Sequence, residues 1–278
     1  MKNNQVKLTL LCDNHIERSD LLAEHGLSFL IEIGKTNILF DTGQGLTIKH
    51  NAKKLNIDLN SVDMIILSHG HYDHTGGLKE VLQNKSEVKI YAHPDIFKPK
   101  YKKLKTGKMK YIGYPQVLLK RNRSNFIFNT EPFWISKNIL LTGQIPRITS
   151  FEKIEEEFYV KSDEGWVKDE LLDDQALAIN TPSGLILILG CAHSGLINIL
   201  RYLVKITDKK DFLLVAGGIH LKNASKEKVD RTIEALGEFN IQKFVLSHCT
   251  GIPAFIKIYN TLKDKVSLGE VGKTWQIL

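Results

Sequence analysis

The chain has 278 residues, 42% hydrophobic and 25% charged, an ordinary globular composition with room for one large domain or one domain carrying a sizeable insertion. Three cysteines, Cys12, Cys191 and Cys249, argue against a disulfide framework, and the longest apolar runs, Leu185–Leu189 and Phe212–Ala216, are too short to span a bilayer. The polar opening Met1–Gln5 shows no signal peptide, so a reducing, cytoplasmic setting is expected, and the net charge of +7 favours anionic ligands.

Val6–Leu11 reads as a first strand. Leu27–Ile33 and Asn37–Phe40 read as a hairpin turning at Gly34-Lys35, and Leu46–Leu55 as a short helix. Val62–Leu67 reads as a buried strand, Leu78–Leu82 as a helix and Val88–Ala92 as another strand. From about Pro94 to Glu170 the rhythm breaks. This stretch holds seven lysines between Lys98 and Lys110 with no acid among them, then Lys120, Arg121 and Arg123. It also holds aromatic runs such as Phe126-Ile127-Phe128 and an acidic run, Glu155-Glu156-Glu157.

It is too long for a structureless loop and reads as an inserted small α+β domain over 94–170. Its expected strands are Gln116–Leu119, Asn125–Phe128, Ile139–Thr142 and Glu157–Val160. Its lysines are read either as a solvated face or as a positive lid that collects phosphate or carboxylate groups. The regular pattern returns with a hairpin, Gln175–Asn180 and Leu185–Leu189, across Pro182-Ser183-Gly184. Helix Ser194–Ile206, strand Phe212–Ala216, helix Ser225–Phe239 with Ser225 as N-cap, and strand Phe244–Leu246 follow. Two such halves, 1–93 and 171–278, predict an α/β fold of two packed sheets with helices outside, a four-layer αββα sandwich.

Residues 68–77 read Ser-His-Gly-His-Tyr-Asp-His-Thr-Gly-Gly. Within them His69, His71, Asp73 and His74 place four metal-ligating side chains in six residues. Side chains two apart in an extended segment point the same way, so His69 and His71 can reach one ion. Asp73 and His74, past the turn, can reach a second. Imidazole nitrogen and carboxylate oxygen are ligands Zn²⁺ accepts at about 2.0–2.2 Å. The run follows an apolar strand, where α/β proteins place their chemistry.

Other histidines recur just past apolar strands beside small residues: His193, His220 and His248. His248 and His193 are read as completing the ligand set that the first motif leaves short. His220 is read as a substrate contact or a support for a ligand. Asp41, also at a strand end, can orient a ligand histidine through its free ring N–H. Cys191 is a possible soft ligand and Asp174 a possible hard one. His93, before Pro94, is read as structural, and His15, His25 and His50 are assigned nothing.

Asp41-Thr42-Gly43, His69-x-His71-x-Asp73-His74, a later strand-end ligand and His248 together resemble the metallo-β-lactamase-fold superfamily. Four longer strings sharpen the likeness: Asn51–Leu55, Leu67–Leu78, Gly190–Gly195 and Ser247–Gly251. They are similar to a subfamily of metal-dependent hydrolases labelled 7,8-dihydropterin-6-methyl-4-(β-D-ribofuranosyl)aminobenzene-5′-phosphate synthase. The resemblance covers nearly the whole chain except the insertion. It departs where the superfamily has a further histidine, since Leu172-Asp173-Asp174-Gln175-Ala176 contains none. The usual bridging aspartate aligns with Cys191 or, two residues on, with His193.

The resemblance implies a hydrolase that activates water at one or two zinc ions, with iron or manganese as alternatives. Asp73 would act as ligand and proton acceptor, and the substrate would be small, anionic and phosphate-bearing, of a pterin-like kind. Competing readings are an iron-dependent redox enzyme, a nucleic-acid-processing hydrolase with the basic insertion as clamp, and a metal-stabilised binding module. No membrane partner is expected.

Overall fold

The computed structural model describes residues 5–83, 87–118, 123–163 and 165–277. Two large sheets face each other. The first runs, edge to edge, Thr274–Ile277, Val6–Cys12, Ser28–Ile33, Thr36–Phe40, Met64–Ile66, Lys89–Ala92 and Phe126–Phe128. The second runs Val266–Leu268, Phe244–Leu246, Asp211–Gly217, Gly184–Leu189, Leu177–Thr181, Ile139–Leu141 and Phe133–Ser136, with Asn240–Ile241 paired beside Asp211–Gly217.

Side-chain alternation explains the layering. In Thr36–Phe40, Ile38 and Phe40 enter the core between the sheets, while Leu39 enters the outer core under helix Ile48–Lys54. In Gly184–Leu189, Ile186 and Ile188 face the first sheet. Leu185, Leu187 and Leu189 face helices Leu196–Thr207 and Ile252–Leu262. A strand buried on both faces reads as a continuous apolar run. Each large apolar side chain so buried contributes ~1.5–3 kcal/mol relative to exposure. The three apolar layers make the expected αββα sandwich. No helix among the described residues is long and apolar enough to cross a membrane.

The region 94–170 differs from the expected α+β unit. Phe126–Phe128 pairs in parallel with Lys89–Ala92 and extends the first sheet. Phe133–Ser136 and Ile139–Leu141 extend the second. What remains is a small antiparallel sheet, Gly165–Lys168, Phe158–Ser162, Lys100–Lys103 and Met109–Tyr111, with no α-helix among its described residues. Gln116–Leu118 is a 3₁₀ turn where a strand was expected; it follows Pro115, whose fixed φ favours a turn there. Leu119, Lys120 and Arg121 lie outside the described residues. Helix Lys226–Ala235 starts as expected, with Ser225 Oγ accepting from the Lys228 N–H, but gives way to a 3₁₀ turn, Leu236–Glu238, before Phe239.

Lys100, read with its neighbours as part of a solvated face or a positive lid, is among the largest fully buried side chains. Its Nζ donates to Asp169 and to Asp173, both at 2.8 Å. Burial pulls its pKa down, but Asp173 and Asp169 outweigh that and hold the amine charged. Asp173 also accepts from the Gly70 N–H at 2.7 Å, inside the metal-ligand motif. The small sheet is thereby fastened to that loop. Replacing Lys100 by Met should leave two buried carboxylates without a cation and cost ~3–5 kcal/mol in denaturant unfolding. An unfolding midpoint equal to wild type would contradict this.

Candidate metal centre

The parallel strands Thr36–Phe40, Met64–Ile66, Gly184–Leu189, Asp211–Gly217 and Phe244–Leu246 all end at one rim. Just past those ends stand Asp41, Ala192, His220 and His248, non-glycine residues with φ of 56°, 53°, 48° and 50°. Left-handed backbone costs of order 1–3 kcal/mol at such residues and concentrates at functional sites. The loops also touch closely. A Cβ on Gly190 would lie 2.1 Å from Ser68 Oγ, so only glycine fits there.

His69, His71 and His193 form one group. Their ring centroids are 4.5 Å (69–71), 4.9 Å (69–193) and 5.0 Å (71–193) apart. Ser68 Oγ lies 2.9 Å from His69 Nδ1, which turns His69 Nε2 inward to within 2.9 Å of His71 Nδ1. His71 Nε2 and both ring nitrogens of His193 are buried with no hydrogen-bond partner. Burial pushes all three pKa values well below the ordinary range, which keeps the rings neutral with lone pairs available.

Asp73, His74 and His248 form a second group. Asp41 Oδ2 binds His74 Nδ1 at 2.6 Å, the orienting role expected of Asp41, and leaves His74 Nε2 3.2 Å from Cys191 Sγ. Burial lowers the His74 pKa, but the charges of Asp41 and Asp73 raise it to about 9 in the absence of an ion. Asn14 Oδ1 holds His248 Nδ1 at 2.8 Å, and His248 Nε2 faces Asp73 Oδ2 at 3.3 Å. Burial would raise the Asp73 pKa, yet the His74 charge and hydrogen bonds from His248 and His25 hold it well below the usual carboxylate range.

Cys191 stands between the groups. Its Sγ lies within 4.8 Å of ligand atoms of His69 and His193 on one side, and of His74 and His248 on the other. The sequence left Cys191 and His193 as alternatives for one position. In the fold they take two, Cys191 central and His193 beside His69 and His71. Asp174, read as a possible hard ligand, belongs to neither group. Its Oδ2 accepts from the Ser194 N–H at 2.8 Å and so holds the Gly190–Gly195 loop. Burial raises its pKa to about 6 against those stabilising bonds. His220 sits behind His193, ring centroids 4.3 Å apart, and both face Glu155. His93 is structural, its Nδ1 accepting from the Asp95 N–H at 3.1 Å.

Several site residues escaped the sequence reading. His25 Nε2 lies 3.2 Å from Asp73 Oδ2, and its ring packs 5.0 Å from that of His248. It comes from an irregular polar segment with no motif to mark it. Asn14 follows the first strand's C-terminal end. The strand-end rule that found the histidines would have found it had it been applied to amides. Glu155 was visible only as part of an acidic run, and Cys249 only in the cysteine count and within the Ser247–Gly251 string, with no role assigned. The buried, unpartnered nitrogens of His71 and His193, neutral and set beside a thiol and a carboxylate, are donors that suit divalent metal ions.

Over both groups opens a cavity of about 390 Å³ lined by His25, His71, His193, His220 and His248 and by Tyr72, Lys102, Lys110, Phe158, Lys222 and Asn223. Residues 22–171 match the metallo-beta-lactamase superfamily. The chain is 33% identical over 98% of its length to the 7,8-dihydropterin-6-methyl-4-(beta-D-ribofuranosyl)-aminobenzene-5′-phosphate synthase of Methanocaldococcus jannaschii, covering 97% of that protein. It is 38% identical over 96% of its length to an uncharacterized protein of the same organism, covering 98% of it. Among solved structures, Tm1679, a metal-dependent hydrolase of the beta-lactamase superfamily, superposes with a TM-score of 0.82 at 28% identity, over 98% of this chain and 99% of that one. The histidine-rich rim thus sits on a fold and a sequence with known kin, and the chain is an enzyme belonging to the metallo-β-lactamase superfamily.

Proposed function

We propose that the protein is a metal-dependent hydrolase of the cytoplasm that acts on a small phosphate-bearing molecule with a flat ring system. His69, His71 and His193 would hold one divalent ion and Asp73, His74 and His248 a second, with Cys191 reaching both. The carrying observation is that three lysines and two aromatic rings line the cavity whose floor is the histidine cluster. Imidazole with thiolate favours zinc or iron over manganese, and zinc is the reading adopted. Bound there, such ions supply Lewis acidity and bring water toward ionisation near neutral pH.

The chain's own groups do the rest. Asp73, held ionised by its neighbours, accepts a proton at Oδ2, the oxygen His25 and His248 already address. Among the described residues neither Lys110 nor Lys222 has a carboxylate partner, so both amines are available to a phosphate. Lys102 is shared with Glu157 at 3.4 Å. Tyr72 and Phe158 offer faces for a planar ring, and the lysine amines already lie over them, Lys110 Nζ 5.8 Å from the Tyr72 ring and Lys102 Nζ 5.6 Å from that of Phe158. A concave cavity of this volume suits a small molecule.

The relative named as a synthase supports a second reading. Its name describes a product that joins a 7,8-dihydropterin to a phosphorylated ribofuranosyl aminobenzene. The same lysines and rings would then hold the parts to be joined. Incubating the metal-loaded protein with those parts, and separately with a panel of phosphoesters, distinguishes joining from hydrolysis.

His71→Ala and Asp73→Ala should each lose bound metal, measured by elemental analysis, and lower turnover at least ~100-fold. Unchanged metal content in both would sink the ligand assignment. Lys110→Ala combined with Lys222→Ala should keep the metal but raise KM for a phosphate-bearing substrate ~10- to 100-fold, since a hydrogen bond to a charged group is worth ~1.5–3 kcal/mol. An equal effect on an uncharged ester would show that the lysines do not read the phosphate.

A further inference from the structure

Cys249 lies beside the two proposed ion positions but belongs to neither ligand set. Its sulfur shares a corner with Cys191 and His220. One ligand atom from each of the three lies within 4.8 Å of the others. The surroundings keep that corner open for a sulfur and aim polar groups at it. A Cβ on Gly218 would come within 2.5 Å of Cys249 Sγ, so the space is held by the absence of a side chain. The His220 backbone, with φ of 48°, points its N–H at the same sulfur, 3.3 Å away. Such an N–H bond supports a thiolate that ligates metal, as it would any buried anion. His220 Nδ1 is buried and has no hydrogen-bond partner. Besides the side chains of Cys191 and His220, the thiol meets the Cys191 carbonyl at 3.6 Å, a long and weak contact. Cys249 and His220 both line the cavity, which leaves a further coordination position open to solvent or substrate.

We propose that Cys191, His220 and Cys249 form a thiolate-rich cation site that takes a thiophilic divalent ion of the zinc class. Two sulfurs and one imidazole with an open fourth position are a donor set that zinc accepts in reactive sites. The site shares Cys191 with the proposed two-ion centre and rests on that reading only in this sharing. None of its other donors comes from the His69–His74 motif or from His248.

The test is a Co²⁺ titration of the reduced, metal-free full-length protein, read by thiolate-to-cobalt charge-transfer absorption. Wild type should show absorption from two thiolates. Cys249→Ser and Cys249→Ala should each lose about half of it and bind fewer cobalt equivalents, while melting as wild type does. The His71→Ala/Asp73→Ala double variant, which breaks the two-ion centre, should keep the thiolate absorption. Full absorption in both Cys249 variants would overturn the site, as would its complete loss in the double variant. Failure of the two-ion reading would appear separately, as unchanged cobalt stoichiometry in that double variant.

Discussion

The carboxylate of Asp41 is the tie on which the rim depends. It is fully buried, and its two oxygens take the Ser68 N–H and Oγ, both at 2.7 Å, and His74 Nδ1 at 2.6 Å. One side chain therefore fixes the start of the histidine loop and the orientation of its last histidine. Ser68 passes the constraint on to His69. Gly190 packs directly over the same pair, so the loop carrying Cys191 is seated by contact with the loop it must meet. A buried carboxylate with this many donors is stable only while all of them are present, which makes the arrangement cooperative.

Around this tie the other loops are held by the same device, a buried carboxylate spent on backbone amides. Asp13 takes the His248 N–H at 2.8 Å, Asp173 takes Gly70, and Asp174 takes Ser194. Glu152 takes the first amides of helix Leu196–Thr207, Ile197 at 2.9 Å and Asn198 at 2.8 Å. Each satisfies donors that a sharp loop or helix start leaves open. His71 and His193 can keep ring nitrogens unpartnered because the loops that carry them are held through backbone amides and neighbouring side chains.

Much of this was legible beforehand. The apolar runs gave the central strands to within a residue or two, since strands buried on both faces leave a plain signature. The dense motif at 69–74 and the strand-end histidines 193 and 248 could be read because parallel strands deliver their C-terminal ends to one edge. What stayed hidden depends on tertiary pairing. Phe126–Phe128 and Ile139–Leu141 looked like parts of an insertion, and only their partners show them to be edges of the main sheets. Lys100 reads as a surface lysine because its partners, Asp169 and Asp173, lie about seventy residues away in sequence. His25 and Asn14 carry no local pattern at all.

Lys100 and Lys102 lie two apart on one strand, so their side chains leave it on the same side. The first is locked into the interior and the second reaches the cavity. The spacing of the cavity wall is thus set by an anchor that also grips the metal-motif loop. A one-residue insertion between them would turn the wall inside out, whereas exchanging side chains at Lys102, Leu104 or Lys110 leaves the anchor untouched. The cavity wall is therefore open to point substitution at these positions, while the register of its strand is fixed by the buried lysine.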